Sequence, residues 1–211
     1  MRTVLDLTHT ITPAMPVYPG TAPPTLHQAN TVEQNGFAET RIGLHSHTGT
    51  HVDAPAHMLA GAATLAQLEA GHFVGRACAI AVSGSAAIDT ATLQAHAGLI
   101  EGCEFVLVHT GWSRYWGQAR YFDGYPVLSA DGAGWLTRRG LKGIGVDTIS
   151  VDPVSATVFG NHLELFRAGM VIVENLTGLG ALVGQAFLFS CLPLKLDAQD
   201  GSPVRAVAIL E

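Results

Sequence analysis

The feature that most constrains the fold of this chain is a set of apolar runs, each of the length of one β-strand. Several runs are continuous rather than alternating, which is typical of strands that are covered on both faces. The runs are residues 4–7, 78–82, 105–109, 144–146, 170–173, 186–189 and 204–210.

Helical patterns lie between these runs. A short amphipathic segment spans 64–70, and Asp89 is a predicted N-cap for a helix over 91–97. Two further helices are predicted over 129–139, stopped by Gly140, and over 155–168, ended by Gly169. This alternation predicts a mixed α/β fold with a single domain over residues 1–211. The proline-rich stretch 13–24 is predicted to be an extended loop, and such loops often overhang a site.

Composition narrows the possible partners. The chain has a formal charge of −6 and no basic stripe, so we expect no nucleic-acid partner. Charged residues make up only 13% of the chain and apolar residues 48%. A surface with so little charge favours burial of part of it in a homodimer or larger homo-oligomer.

Location is inferred from what the sequence lacks. The apolar run near Met1 is interrupted by Asp6 before a signal-peptide core forms, and no stretch approaches the ~20 apolar residues of a membrane span. The three cysteines are widely spaced without a CxxC pair, which favours buried thiols in a reducing compartment. We therefore expect a cytoplasmic protein that does not enter the membrane.

Four of the ten histidines fall between positions 45 and 57, where the chain reads HSHTGTHVDAPAH. Neutral imidazole binds zinc, manganese or iron, and a carboxylate supplies charge and can bridge two ions. We take His47, His51 and Asp53 as candidate metal ligands. A single histidine is more often an ordinary core or surface residue, but three potential ligands in seven residues favour a metal site.

The spacing within this cluster indicates its backbone. Glycine, proline and β-branched residues disfavour a helix, and the residue after His47 is threonine, so this is not the HExxH helix of zinc proteases. On a strand, His51 and Asp53 point to one face, and a turn at Gly49 can bring His47 beside them. Candidates for the remaining ligands lie in 161–164 and 173–175.

The string from His47 to His57 resembles the HxGTHxDxPxH motif of the cyclase-like metal hydrolases, a family that includes bacterial kynurenine formamidase and, as a relative, isatin hydrolase. The resemblance extends over most of the chain. It includes residues 16–20, 145–147 and 150–153, together with His162 and Glu174.

This resemblance implies a swivelling β/β/α fold, an oligomer, and one or two divalent ions per subunit, with zinc or manganese expected. It implies that His47, His51 and Asp53 hold the first ion and that Asp53 bridges to a second ion held by His162 and Glu174. His57 would be the proton shuttle. Tyr18 stands where the formamidases are expected to carry a tryptophan against the aromatic substrate, so we take it as substrate-binding while the substrate stays open.

Our hypothesis is that the protein hydrolyses an amide C–N bond with the help of a metal ion. The expected substrate is an aryl formamide such as N-formylkynurenine, which would place the enzyme in tryptophan catabolism. One alternative is a ring-opening hydrolase of cyclic amides or lactones on the same metals. A second is a metal-binding protein without turnover. A nucleophilic hydrolase is disfavoured because the sequence has no GxSxG elbow.

Overall fold

The computed structural model of the protein describes residues 2–82 and 87–210. Within these ranges, nine strands form one mixed sheet. They are β1 (Thr3–Asp6), β4 (His51–Asp53), β5 (Val74–Ala81), β7 (Phe105–His109), β9 (Gly143–Val146), β10 (Val171–Glu174), β11 (Ala186–Ser190), β12 (Gly201–Pro203) and β13 (Val207–Leu210). Their order across the sheet is β1, β13, β11, β5, β7, β9, β10, β4, β12. The α/β fold with a mixed sheet, predicted from the sequence, is confirmed.

The centre of the sheet is parallel and its flanks are antiparallel. Strands β5, β7, β9 and β10 run parallel to one another. Strand β11 pairs with β5, and β4 with β10, in the antiparallel direction. The apolar runs of the central strands are buried on both faces, as their continuous pattern predicted.

Each face of the sheet supports its own core. On one face, Ile80, Val106 and Ile144 pack with residues of the helices, including Trp135 and Phe166. The helices are α2 (Thr90–Gln94), α3 (Ala97–Ile100), α4 (Ala130–Thr137) and α5 (Gly160–Arg167). The opposite core packs residues of the same strands with residues of the curled flanks, among them Phe105, Leu107, Val173, Phe187 and Phe189.

Three of the helix predictions need correction. Residues 64–70 form turns rather than a helix, and Leu65 is held there because its N–H donates to the Gln199 carbonyl. The segment 91–97 is divided between α2 and α3, although Asp89 does cap α2 by accepting from the N–H of Thr92. The last helix begins at Gly160 rather than at 155, because the preceding residues are drawn into turns next to Asp152.

A hairpin that the apolar pattern missed projects from this body. Its strands are β2 (Thr25–Asn30) and β3 (Glu39–Gly43), and the helix α1 (Val32–Asn35) lies between them. Both strands are almost wholly exposed within one chain. A second small sheet pairs β6 (Ala87–Ile88) with β8 (Val127–Leu128). Among residues 2–82 and 87–210, no helix combines the length and hydropathy that a bilayer crossing requires.

Gly143 in β9 provides a test of packing at the sheet centre. A β-carbon there would lie 2.6 Å from the Val171 carbonyl oxygen and 3.0 Å from the Phe105 ring. We therefore expect Gly143→Ala to lower the free energy of unfolding by about 1–3 kcal/mol through overpacking, as measured by urea denaturation. The matched control is Gly98→Ala, at an exposed position of α3 where a β-carbon meets nothing within 4 Å. Equal effects at the two positions would contradict this account.

Candidate metal centre

The strand β4 positions two of the predicted ligands. His51 and Asp53 lie two residues apart on this buried strand, so their side chains project from the same face. In the antiparallel pairing with β10, His51 lies opposite Glu174 and Asp53 opposite Ile172. The carboxyl end of β10 therefore brings Glu174 beside His51, although 122 residues separate them in the sequence.

The turn before β4 places His47 beside this strand. Gly49 has a φ of 66°, a left-handed conformation that glycine adopts without strain. The Asn175 side chain stabilises the turn, because its amide donates to the Gly49 carbonyl at 2.8 Å. The Asn175 carbonyl in turn accepts from the Thr50 hydroxyl at 2.6 Å. The turn at Gly49 thus has the location that the sequence suggested.

The five predicted ligands converge. Asp53 Oδ1 lies 2.6 Å from His47 Nδ1 and 3.2 Å from His51 Nε2. On the other side, Glu174 Oε1 lies 3.3 Å from His162 Nε2. Two triplets, His47–His51–Asp53 and Asp53–His162–Glu174, each have candidate ligand atoms within 4.8 Å of one another, and both include Asp53. Asp53 is thus the residue that these two triplets share.

Outer hydrogen bonds orient the imidazole rings. Nδ1 of His51 donates to the Gly49 carbonyl at 2.8 Å, which leaves Nε2 facing Asp53 and Glu174. Nδ1 of His162 pairs with Asp152 Oδ2 at 2.7 Å, which leaves Nε2 facing Glu174. Metal-binding histidines commonly use one ring nitrogen for the metal and the other for such a partner.

The electrostatics of the cluster fit a cation. Burial opposes charge on His47, but the Asp53 and Asp200 carboxylates outweigh it and raise the His47 pKa to about 9. Burial likewise opposes charge on His162, whose pKa is raised to about 10 by Asp152 and Glu174. Burial tends to raise the pKa of Asp53, yet the neighbouring histidines hold it well below its usual range. The carboxylates thus favour a positive charge in this buried site, which a protonated ring or a bound cation can supply.

One buried atom in the cluster has no hydrogen bond. Oδ2 of Asp53 lies in the interior and meets no donor from residues 2–82 or 87–210. A buried carboxylate oxygen without a partner is costly. Together with three imidazoles and a second carboxylate, this oxygen makes a donor set that suits a divalent transition-metal ion.

A cavity of about 270 Å³ opens above the cluster. His57, at the end of a 3-10 turn from Pro55 to His57, lines it, and burial lowers the pKa of this ring. Apolar side chains form much of the wall: Tyr18, Met58, Ile149 and Phe159. A larger surface groove of about 760 Å³ lies along β1, β5, β11 and β13 and contains none of the histidines.

An aromatic cluster lies behind the cavity. Trp112, Tyr115 and Trp116 pack with Tyr121, and Tyr18 contacts this cluster from the cavity side. His109 is not among the lining residues, and its Nδ1 lies 3.2 Å from the buried Asp147 carboxylate. Of these residues, Tyr18 lines the cavity.

Sequence reasoning missed two carboxylates near the site. It gave Asp152 no role, and in the structure this carboxylate holds the His162 ring. It did not consider Asp200, whose Oδ2 lies 3.0 Å from His47 Nε2. No motif spacing links either residue to the histidine cluster, because their proximity arises from strand pairing and helix packing.

Comparison with known proteins identifies the class. The family model described as putative cyclase matches residues 5–153, and the chain belongs to this family. Kynurenine formamidase of Bacillus cytotoxicus is 33% identical over 204 residues, which cover 96% of this chain and 95% of that protein.

Solved structures agree with this membership. Isatin hydrolase A from Labrenzia aggregata, bound to benzyl benzoate, shares the fold with a TM-score of 0.90 at 24% identity, covering 99% of this chain and 94% of its own. A structure described as a predicted metal-dependent hydrolase from Bacillus stearothermophilus has a TM-score of 0.82 and 28% identity, covering 99% and 98%.

Asp152 provides a test of how the site is supported. It accepts from the N–H groups of Asn161 and His162 at the start of α5, as well as from the His162 ring. Its removal leaves these buried donors unpaired, so we expect Asp152→Ala to lower the free energy of unfolding by about 1–3 kcal/mol in urea denaturation. The exposed Asp123→Ala should change it by less than about 0.5 kcal/mol. Matching losses would mean that Asp152 does not support the helix.

Proposed function

We propose that this protein is a divalent-metal-dependent hydrolase that cleaves the C–N bond of an aryl formamide such as N-formylkynurenine. The observation that carries the proposal is the Asp53 carboxylate, shared by two ligand triplets beneath a cavity. Membership of the cyclase family and the similarity to kynurenine formamidase support the same chemistry. With this substrate the enzyme would act in tryptophan catabolism.

His47, His51 and Asp53 would hold one ion, and Asp53, His162 and Glu174 a second. Imidazole and carboxylate ligands suit zinc or manganese, which we propose as the native metals. When bound, such an ion supplies Lewis acidity toward a carbonyl oxygen and increases the acidity of water. The Asp152 and Gly49 partners keep Nε2 of His162 and His51 directed inward.

His57 is proposed as the proton-transfer residue. It lines the cavity and belongs to neither of the two triplets that share Asp53, although it forms a third possible ligand group with His47 and Asp200. Its role is to accept a proton at the start of hydrolysis and to deliver one to the leaving nitrogen. The neighbouring Phe166 ring, with its centroid 6.3 Å from that of His57, limits the space available to the imidazole.

Tyr18 and Phe159 are proposed to contact the aromatic ring of the substrate. The Tyr18 hydroxyl donates to the Val154 carbonyl at 3.4 Å, which holds its ring against the cavity. Met58 and Ile149 add further apolar surface to the cavity. Few polar groups line this wall, so it suits the aromatic ring of an aryl amide.

Ring opening of a cyclic amide or lactone is the second candidate, favoured by the presence of Tyr18 where the formamidases are expected to have tryptophan. Both candidates need the same carbonyl chemistry and differ in the shape of the substrate. The alternative hypothesis of a metal-binding protein without turnover is disfavoured, because the candidate ligands line a cavity that can admit a substrate.

We also propose that the protein forms a homodimer or larger homo-oligomer. The hairpin of β2 and β3, with the segments that adjoin it, exposes five large apolar side chains. They are Leu26, Val32, Phe37, Ile42 and Leu44. An isolated two-stranded hairpin is marginally stable in water, so cover from another chain would stabilise it. Light scattering during size exclusion should give at least twice the mass of one chain.

A cytoplasmic location is proposed on the basis of the cysteines. Cys78, Cys103 and Cys191 are all buried free thiols. Such thiols are compatible with a reducing compartment, where disulfides are rare.

The first test of the function combines metal analysis with turnover. We expect the purified protein to contain about one to two equivalents of divalent metal per chain, in line with two ligand triplets. Hydrolysis of N-formylkynurenine should stop on chelation and return with zinc or manganese. Metal without turnover of this substrate would direct the search to cyclic amides and lactones. A protein that takes up no divalent metal would refute the proposal.

The second test separates the role of His57 from those of the ligands. His57→Asn should lower kcat by roughly 10²–10⁴-fold with metal content unchanged, since a general acid–base is lost. Asp53→Asn should lose both metal and activity, because its carboxylate belongs to both triplets. The exposed His27→Asn is the control and should resemble the wild type. A loss of metal in His57→Asn would assign that ring to the metal instead.

A further inference from the structure

Asp200 lies against the candidate metal centre through strand pairing. It directly precedes β12, which pairs with β4 so that Gly201 lies opposite Asp53. The main-chain carbonyl of Asp200 accepts from the N–H of Ala54 at 2.8 Å. The backbone thus anchors this residue, while its carboxylate faces the site and interacts with the side chains of His47 and Ser46.

One oxygen of this carboxylate meets two histidines. Oδ2 lies 3.0 Å from His47 Nε2 and 3.5 Å from His57 Nδ1. The first contact is a hydrogen bond, and the second is longer than one, but such contacts commonly shorten when a catalytic site is loaded. The two rings lie against each other with centroids 3.9 Å apart, so one carboxylate can hold both.

The next residue restricts His47 from another side. A β-carbon on Gly201 would lie 2.5 Å from Cε1 of His47 and 2.9 Å from each ring nitrogen. The imidazole therefore packs directly on the Gly201 backbone, where only glycine leaves room. Asp200 and Gly201 together determine the position of His47, while Nδ1 of the same ring faces Asp53.

We infer that Asp200 is a positioning residue that orients His57 for proton transfer and His47 for metal binding. The inference rests on the proposed function, in which His57 exchanges protons with the substrate. When Nδ1–H of His57 donates to the carboxylate, the proton is held on that nitrogen, and Nε2 is left as the basic atom. The same oxygen accepts from Nε2–H of His47, which leaves Nδ1 of that ring for the ion.

A double-mutant cycle tests the action through His57. At saturating zinc, Asp200→Asn should lower kcat by roughly 10–100-fold, the usual effect of losing an outer partner, with little change in KM. On the His57→Asn background, the same change should have almost no further effect, because both act through one ring. Equal losses in both backgrounds, or an unchanged kcat, would overturn the inference. Asp197→Asn, an exposed carboxylate in the same segment, is the matched control and should keep wild-type kinetics.

A second measurement is independent of activity. In zinc-loaded protein, ¹⁵N shifts of the His57 ring should show the proton on Nδ1, and Asp200→Asn should move it toward Nε2. The same tautomer in both proteins would overturn the inference. If the wild type hydrolyses no amide or lactone while the tautomer still responds to Asp200, the proposed function fails and the positioning role stands.

A second variant, Asp200→Glu, retains the carboxylate. It should keep the proton on Nδ1 of His57 and recover part of kcat. If Asp200→Asn does not fold, Asp200→Glu serves as the test, and loss of the Nδ1 tautomer in this variant would contradict the inference.

Discussion

The antiparallel pairing of β4 with β10 is the interaction on which the rest of the site depends. It sets His51 opposite Glu174 and Asp53 opposite Ile172, in the interior of the protein. A shift of one residue in this register would turn every side chain of β4 to the opposite face. Val52 would then lie where the ligands lie, and His51 and Asp53 would point into an apolar core. Burial of Val52 in that core therefore helps to specify the register.

The site concentrates charge that the fold must balance. Asp53 and Glu174 are buried, and each is surrounded by imidazoles whose second nitrogen is held by an outer partner. These partners come from different layers: the Gly49 carbonyl from the turn before β4, and Asp152 from the loop that leads to α5. Buried charge is tolerated only with such compensation. The outer partners orient the rings, and they also make a carboxylate-rich interior compatible with a stable fold.

The family relationship and the local geometry support different parts of the interpretation. Membership of the cyclase family places the chain among proteins that include a formamidase one-third identical in sequence. The geometry adds which atoms face one another, and it places His57 at the cavity wall, outside the two triplets that share Asp53. Under the proposed function, Tyr18 and Phe159 would contact the substrate, and Tyr18 stands where the formamidases are expected to have tryptophan.

Local sequence determined much of this protein. Continuous apolar runs predicted the central strands, and Asp89 and Ser129 predicted helix starts. The histidine string located one half of the candidate site. These features could be predicted because each depends on residues that are close together in the chain. Glu174 and His162 were named mainly by resemblance. Only the tertiary structure brought Asp200 to His47 and Asp152 to His162, since strand pairing and helix packing across the chain create those contacts. Tertiary structure also turned the predicted helix at 64–70 into turns, because long-range hydrogen bonds there outweigh a weak local helical preference.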